Sequence, residues 1–156
     1  MIRPTHIPRF VRVSAAIVAA GLAAMSGMQL FWALGGTWAL NEASGIESND
    51  LSTAAAIGSA MLAVALLVAG LAVLGHAGYW GDRVPFRYFH RGTWLAAVAL
   101  ALGGLLNLFG ASAWERFLFG PLALVLAALA IVVARNGVLR RKREPLPPFP
   151  TFHARA

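Results

Sequence analysis

The sequence predicts an all-α integral membrane protein, a bundle of four transmembrane helices. Three observations carry this. The chain is 59 % hydrophobic, it is only 12 % charged, and its polar residues fall between four long apolar windows. Soluble domains carry roughly a quarter charged residues. A hydrocarbon core of about 30 Å takes roughly 20 helical residues to cross. In lipid each window must be helical, because no water is present to satisfy an open backbone. At 156 residues one domain is expected.

The windows lie at 13–34, 51–74, 93–109 and 114–134, and none has Asp, Glu, Lys or Arg in its middle third. Residues 1–12 then form an N-terminal tail, 13–134 the transmembrane domain, and 135–156 a basic, Pro-rich tail. Arg3, Arg9 and Arg12 before the first window resemble the basic start of a signal peptide. The apolar run of about 22 residues exceeds the roughly 7–15 of a signal sequence, so an uncleaved anchor is expected. The fourth window contains Gly120-Pro121. A helix starting at Pro121 would rise only about 21 Å by residue 134, too short to span. It must start earlier, where Ser112-Ala-Trp-Glu115 has the form of a capping box, and Pro121 should then bend it.

Charge sets the expected orientation. With both termini inside, twelve of the thirteen basic residues are cytoplasmic and only Arg116 is outside. The net charge of +7 does not point to nucleic acid, because the arginines sit in short patches between apolar runs. No cysteine is present, which excludes disulfide and thiolate chemistry. Arginine accounts for twelve of the basic residues and alanine is abundant, as in high-GC bacterial genomes; the expected location is the bacterial plasma membrane.

Helix packing should follow small residues. Ala15, Ala19, Ala23 and Gly27 recur every fourth position, as do Ala55, Ser59 and Ala63. Such stripes let membrane helices approach closely, within one bundle or against a homodimer or partner membrane protein.

Three local patterns stand together: Trp32-Ala-Leu-Gly-Gly-Thr-Trp38, Trp80-Gly-Asp-Arg-Val-Pro85 and Trp114-Glu-Arg-Phe-Leu-Phe-Gly120. In this order and spacing they resemble a bacterial family of small four-helix membrane proteins, domain of unknown function 3995, over roughly residues 28–125. That family commonly has Asp after the last Trp, often followed by Pro; here Glu115 and Arg116 stand there. The resemblance implies an integral membrane protein and supplies no catalytic residue and no cofactor.

Two regions are candidates for function. At the outer end, Gln29 lies roughly 8 Å inside its helix end. Asn107 closes the third window and Glu115 opens the fourth. With Trp32 and Trp114 they would line an outward-facing polar cleft for a ligand. The alternative readings are interhelical hydrogen bonds for Gln29 and Asn107, a helix cap for Glu115, and an aromatic belt for the tryptophans. Gly35-Gly36 reads as a helix C-terminus.

At the inner end, Arg83, Arg87 and Arg91 are spaced by four, which stacks them on one face if Pro85 begins a helix. Together with Arg140, Arg141, Lys142 and Arg143 they should contact anionic lipid headgroups. Residues 145–150 favour extended polyproline II. The four histidines show no paired ligand spacing, so no metal site and no cofactor is expected. The absence of a central carboxylate argues against a proton-coupled pump. The expected role is a non-enzymatic accessory or lipid-contacting membrane component. The alternative is a small-molecule or lipid binding or transport protein, or a membrane isomerase, with Glu115 as acid and Gln29 and Asn107 as positioning groups.

Overall fold

The computed structural model describes residues 7–37, 52–81, 83–110 and 112–137. Four helices follow one another: α1 (Arg9–Ala33), α2 (Thr53–His76), α3 (Phe86–Leu108) and α4 (Glu115–Asn136). At 1.5 Å per residue they are about 33–38 Å long, enough to cross a hydrocarbon core. Each has the necessary apolar character, with mean hydropathy from 1.3 to 2.7. No strand occurs among the described residues. The architecture is an all-α bundle of the multi-pass membrane type.

The helices start and stop where local chemistry directs. The C-terminus of α1 is a Schellman motif. Gly35 takes φ +90°, its N–H bonds the Trp32 carbonyl, and the Gly36 N–H bonds the Phe31 carbonyl. The same motif ends α2, with Gly78 at φ +73° and bonds from Gly78 to Gly75 and from Tyr79 to Leu74. Ser52 caps the start of α2, its Oγ accepting the Ala55 N–H at 3.3 Å.

Two spans begin ahead of their hydropathy windows, α1 at Arg9 rather than near residue 13 and α3 more markedly. α3 begins at Phe86 rather than near residue 93, because Pro85 supplies the N-cap and Arg87 and Arg91 ride on its first two turns. Arg83 lies in the preceding turn, so only two of the three arginines stack along the helix. α4 runs through Pro121 without a break. Proline has no N–H to donate and its ring crowds the carbonyl four residues back. The helix widens just ahead of it into a π-turn over Glu115–Phe119, closed by the Gly120 N–H on the Glu115 carbonyl.

The helices form an antiparallel ring. α1 packs mainly on α2, α3 on α4, and the α2–α3 and α4–α1 pairs close it; of the diagonals, α2–α4 makes a thin contact. Half of the core is alanine, with Val11, Val18, Leu22, Val73, Leu100, Leu126 and Val133 filling the spaces between. Outward faces carry Leu30, Met61, Leu95, Leu102 and Phe117, as expected where lipid is the solvent.

The inward line on α1 is Val11, Ala15, Val18, Leu22, Met25, Gln29 and Trp32, alternating steps of three and four. The every-fourth stripe departs from it. Steps of four overshoot a 3.6-residue turn by about 40° each, so Ala15 is buried while Ala23 and Gly27 are exposed. On α2 the shorter stripe does reach the interface at Ala63. The close α1–α2 approach joins Ala19 of the α1 stripe to Gly70.

Burial is uneven along the bundle axis. In α2 no residue before Ala63 is buried, whereas Gly70, Val73, Gly75, His76 and Ala77 are. The π-turn of α4 has no buried residue either. The bundle is therefore tightest at the end bearing the α1 N-terminus and most of the arginines. That is the basic end of the bundle, and the opposite one is the far end.

Candidate functional site

At the far end the five residues of the expected cleft have distinct fates. Glu115 is a cap. Its carboxylate accepts the Ser112 N–H at 3.2 Å while its own N–H bonds Ser112 Oγ at 3.0 Å, the reciprocal pair of a capping box. Gly110 leaves room for that carboxylate, and the Arg116 guanidinium donates to the Gly110 carbonyl at 3.0 Å. Trp32 is buried and Trp114 is exposed.

Gln29 and Asn107 both lie on the inward lines of their helices, half-buried, on α1 and α3 across a diagonal of the ring. Neither side chain makes a hydrogen bond with a described residue. Two apolar grooves open nearby. One of about 460 Å³ is lined by Ala24, Gly27, Met28 and Phe31. The other, about 280 Å³, is lined by Ala113, Trp114, Phe117 and Leu118. Of the five residues only Trp114 lines either.

Interhelical polar bonding is instead made by Ser26, a residue that sequence reasoning did not single out. Its Oγ donates to the Ala63 carbonyl at 2.8 Å, with the side chain 3 % exposed. Ser26→Ala is expected to cost about 0.6–2 kcal/mol. Gln29→Leu should stay within roughly 0.5 kcal/mol of the parent. Thermal unfolding in detergent compares the two; a Gln29→Leu loss as large as that of Ser26→Ala would show that the amide is engaged.

The basic end holds more chemistry than its loop spacing suggests. Tyr79 clamps α1 twice, its hydroxyl donating to the Arg12 carbonyl at 3.1 Å and its ring lying 4.7 Å beneath the Arg12 guanidinium. Trp80 donates from Nε1 to the Leu71 carbonyl at 2.9 Å and meets Phe89 edge-on at 5.2 Å. Arg9, Arg12, Arg83, Arg87, Arg91 and Arg135 are all exposed. Arg140, Arg141, Lys142 and Arg143 lie outside the described residues.

His76 and His90, expected to be unrelated, come together here. His76 is 1 % exposed, with Nε2 3.3 Å from the Ala134 carbonyl and Nδ1 buried without a partner. Its ring stacks on Phe86 at 4.9 Å and stands 5.3 Å from the His90 ring. The two histidines are on different helices joined by a turn, so no spacing rule for a single helix reveals them. The signal available was only that one His ends α2 and the other follows Pro85 by about a turn.

Comparison of the chain with family models, with curated proteins and with solved structures gives no match. The functional reading therefore rests on the geometry of the two ends.

Proposed function

We propose that this protein is a non-enzymatic component of the bacterial plasma membrane whose basic end lies in the cytoplasmic leaflet and binds anionic headgroups. One observation carries the reading. Six described arginines crowd the basic end, all exposed, while the sole described carboxylate, Glu115, sits as a cap at the other end. No described residue supplies counter-charge to these arginines. Each Lys or Arg near an anionic surface contributes about 1 kcal/mol. The stacking of Arg12 on Tyr79 and the anchoring of Trp80 hold the charged and aromatic groups in one interfacial layer. Membership of the family with domain of unknown function 3995 belongs to the same proposal, supported by the three tryptophan-centred motifs.

Two experiments test it. Changing Arg83, Arg87 and Arg91 together to Gln is expected to deplete co-purifying phosphatidylglycerol or cardiolipin; an unchanged lipid profile counts against headgroup binding. For the orientation, reporters are fused at Ala156. A fluorescent protein should be bright and alkaline phosphatase inactive there, and the opposite pair of results overturns the topology.

A further inference from the structure

We propose that His76 and His90 bind one divalent cation of the zinc–copper class, through Nδ1 of His76 and one imidazole nitrogen of His90. This goes beyond headgroup binding and does not depend on it.

The Ala134 carbonyl fixes the tautomer of His76. A backbone carbonyl can only accept, so the nitrogen facing the Ala134 carbonyl at 3.3 Å, Nε2, is the one that carries the proton. Nδ1 is then left with a lone pair, buried and without a hydrogen-bond partner. A buried polar atom left in that state is costly, and few native ones are. Histidines that ligate metals have this arrangement: one nitrogen donates to a carbonyl or carboxylate, which orients the ring and frees the other for the metal.

The spacing of the two ring centres is compatible with a shared ion. A nitrogen about 2.1 Å from a metal puts its ring centre roughly 3.2 Å away, and two such rings at a tetrahedral angle stand about 5.2 Å apart. The His76 and His90 rings are 5.3 Å apart and tilted by 45°. Phe86 walls the pair, 4.9 Å from His76 and 5.8 Å from His90. Gly137 closes the other side, where any side chain would run into the His76 ring. His90 is half-buried rather than enclosed, which provides an entry path.

No group of three His, Cys, Asp or Glu occurs among the described residues, so two imidazoles are completed by water. Nitrogen donors of this kind suit Zn²⁺, Cu²⁺ and Ni²⁺, and not Mg²⁺ or Ca²⁺.

The test uses the full chain, purified without an oligohistidine tag, washed with chelator, and carrying His6→Ala and His153→Ala to remove the tail imidazoles. Titration with Cu²⁺, read by electron paramagnetic resonance, is expected to show one ion per chain with hyperfine coupling to the nitrogens of two imidazoles. Zn²⁺ should displace it and Mg²⁺ should not. His90→Gln, at a half-buried position, is expected to weaken binding at least roughly tenfold. Coupling to fewer than two imidazoles, displacement by Mg²⁺, or unchanged affinity in His90→Gln each overturns the proposal. The nitrogen count is read on chains that retain both residues, so it decides the matter even if the His90 variant fails to fold.

Discussion

Gly104→Val is expected to cost the bundle about 3 kcal/mol, the upper part of the range for overpacking a filled interface. Gly104 is buried where α3 crosses the start of α4. A Cβ there would stand 3.0 Å from the Gly120 carbonyl oxygen and 2.9 Å from Leu124 Cγ. The leucine can turn aside, but a backbone carbonyl cannot. Gly120 is itself pressed on the other side, since its own Cβ position is 2.9 Å from Leu108 Cδ2 and 3.2 Å from the Glu115 carbonyl. The two glycines thus set the α3–α4 spacing beside the π-turn, and valine adds two methyl groups beyond the Cβ. The adjacent Gly103 is the control, because nothing lies within 4 Å of its Cβ position. Gly103→Ala should be neutral or gain up to about 1 kcal/mol from helix propensity. Thermal unfolding of both variants in one detergent gives the comparison, and a Gly104→Val chain as stable as the parent would sink this account of the crossing.

What could be seen in advance follows the range of the interaction responsible. The four spans were legible because each is a property of about 20 consecutive residues. So were the glycine-ended helix at Gly35 and the Ser112–Glu115 capping box, which involve atoms within five positions of one another. The start of α3 was missed by seven residues. Its first turns carry Arg87, His90 and Arg91, which lower hydropathy without opposing helix formation. The stripe on α1 follows the interface through Ala15 and Ala19 and leaves it at Ala23 and Gly27, because a period of four is not the period of a helix. His76, His90 and Ser26 were invisible as partners because their contacts join different helices. Those are consequences of how the ring closes, and only assembly of the bundle reveals them.

The same distinction separates the two ends in function. At the far end Glu115, the sole carboxylate among the described residues, is already committed to the Ser112 cap. Among the described residues there, Gln29 and Asn107 are amides across a diagonal, with no hydrogen bond to a described residue. At the basic end the groups are ordered by each other: Arg12 by Tyr79, Trp80 by Leu71, His76 by Ala134 and Phe86. Fixed geometry is what recognition needs, because groups already held in place lose less freedom on binding.

Gly137→Ala is the sharpest probe of that order. Gly137 follows α4 with φ −57° and ψ 173°, a conformation open to alanine, so the expected penalty is steric and not conformational. The new methyl would collide with the His76 imidazole and stand 2.7 Å from the Val133 carbonyl oxygen. His76 is enclosed and cannot swing into solvent. It has to leave the Ala134 carbonyl or push α2 away from α4, the thin diagonal contact of the ring. We expect a loss of about 2–3 kcal/mol, from overpacking together with a strained or broken buried hydrogen bond. His76→Ala alone should also destabilise, by about 2 kcal/mol or more, through the cavity it leaves. In the double variant His76→Ala/Gly137→Ala the methyl enters space the imidazole has vacated. The two losses should therefore fall short of additive by at least roughly 1 kcal/mol, the non-additivity of residues in direct contact. The crowding against Val133 remains in both backgrounds and sets a floor on the recovery. Unfolding free energies of the four chains complete the cycle; strictly additive losses would show that Gly137 is not reserved for the histidine.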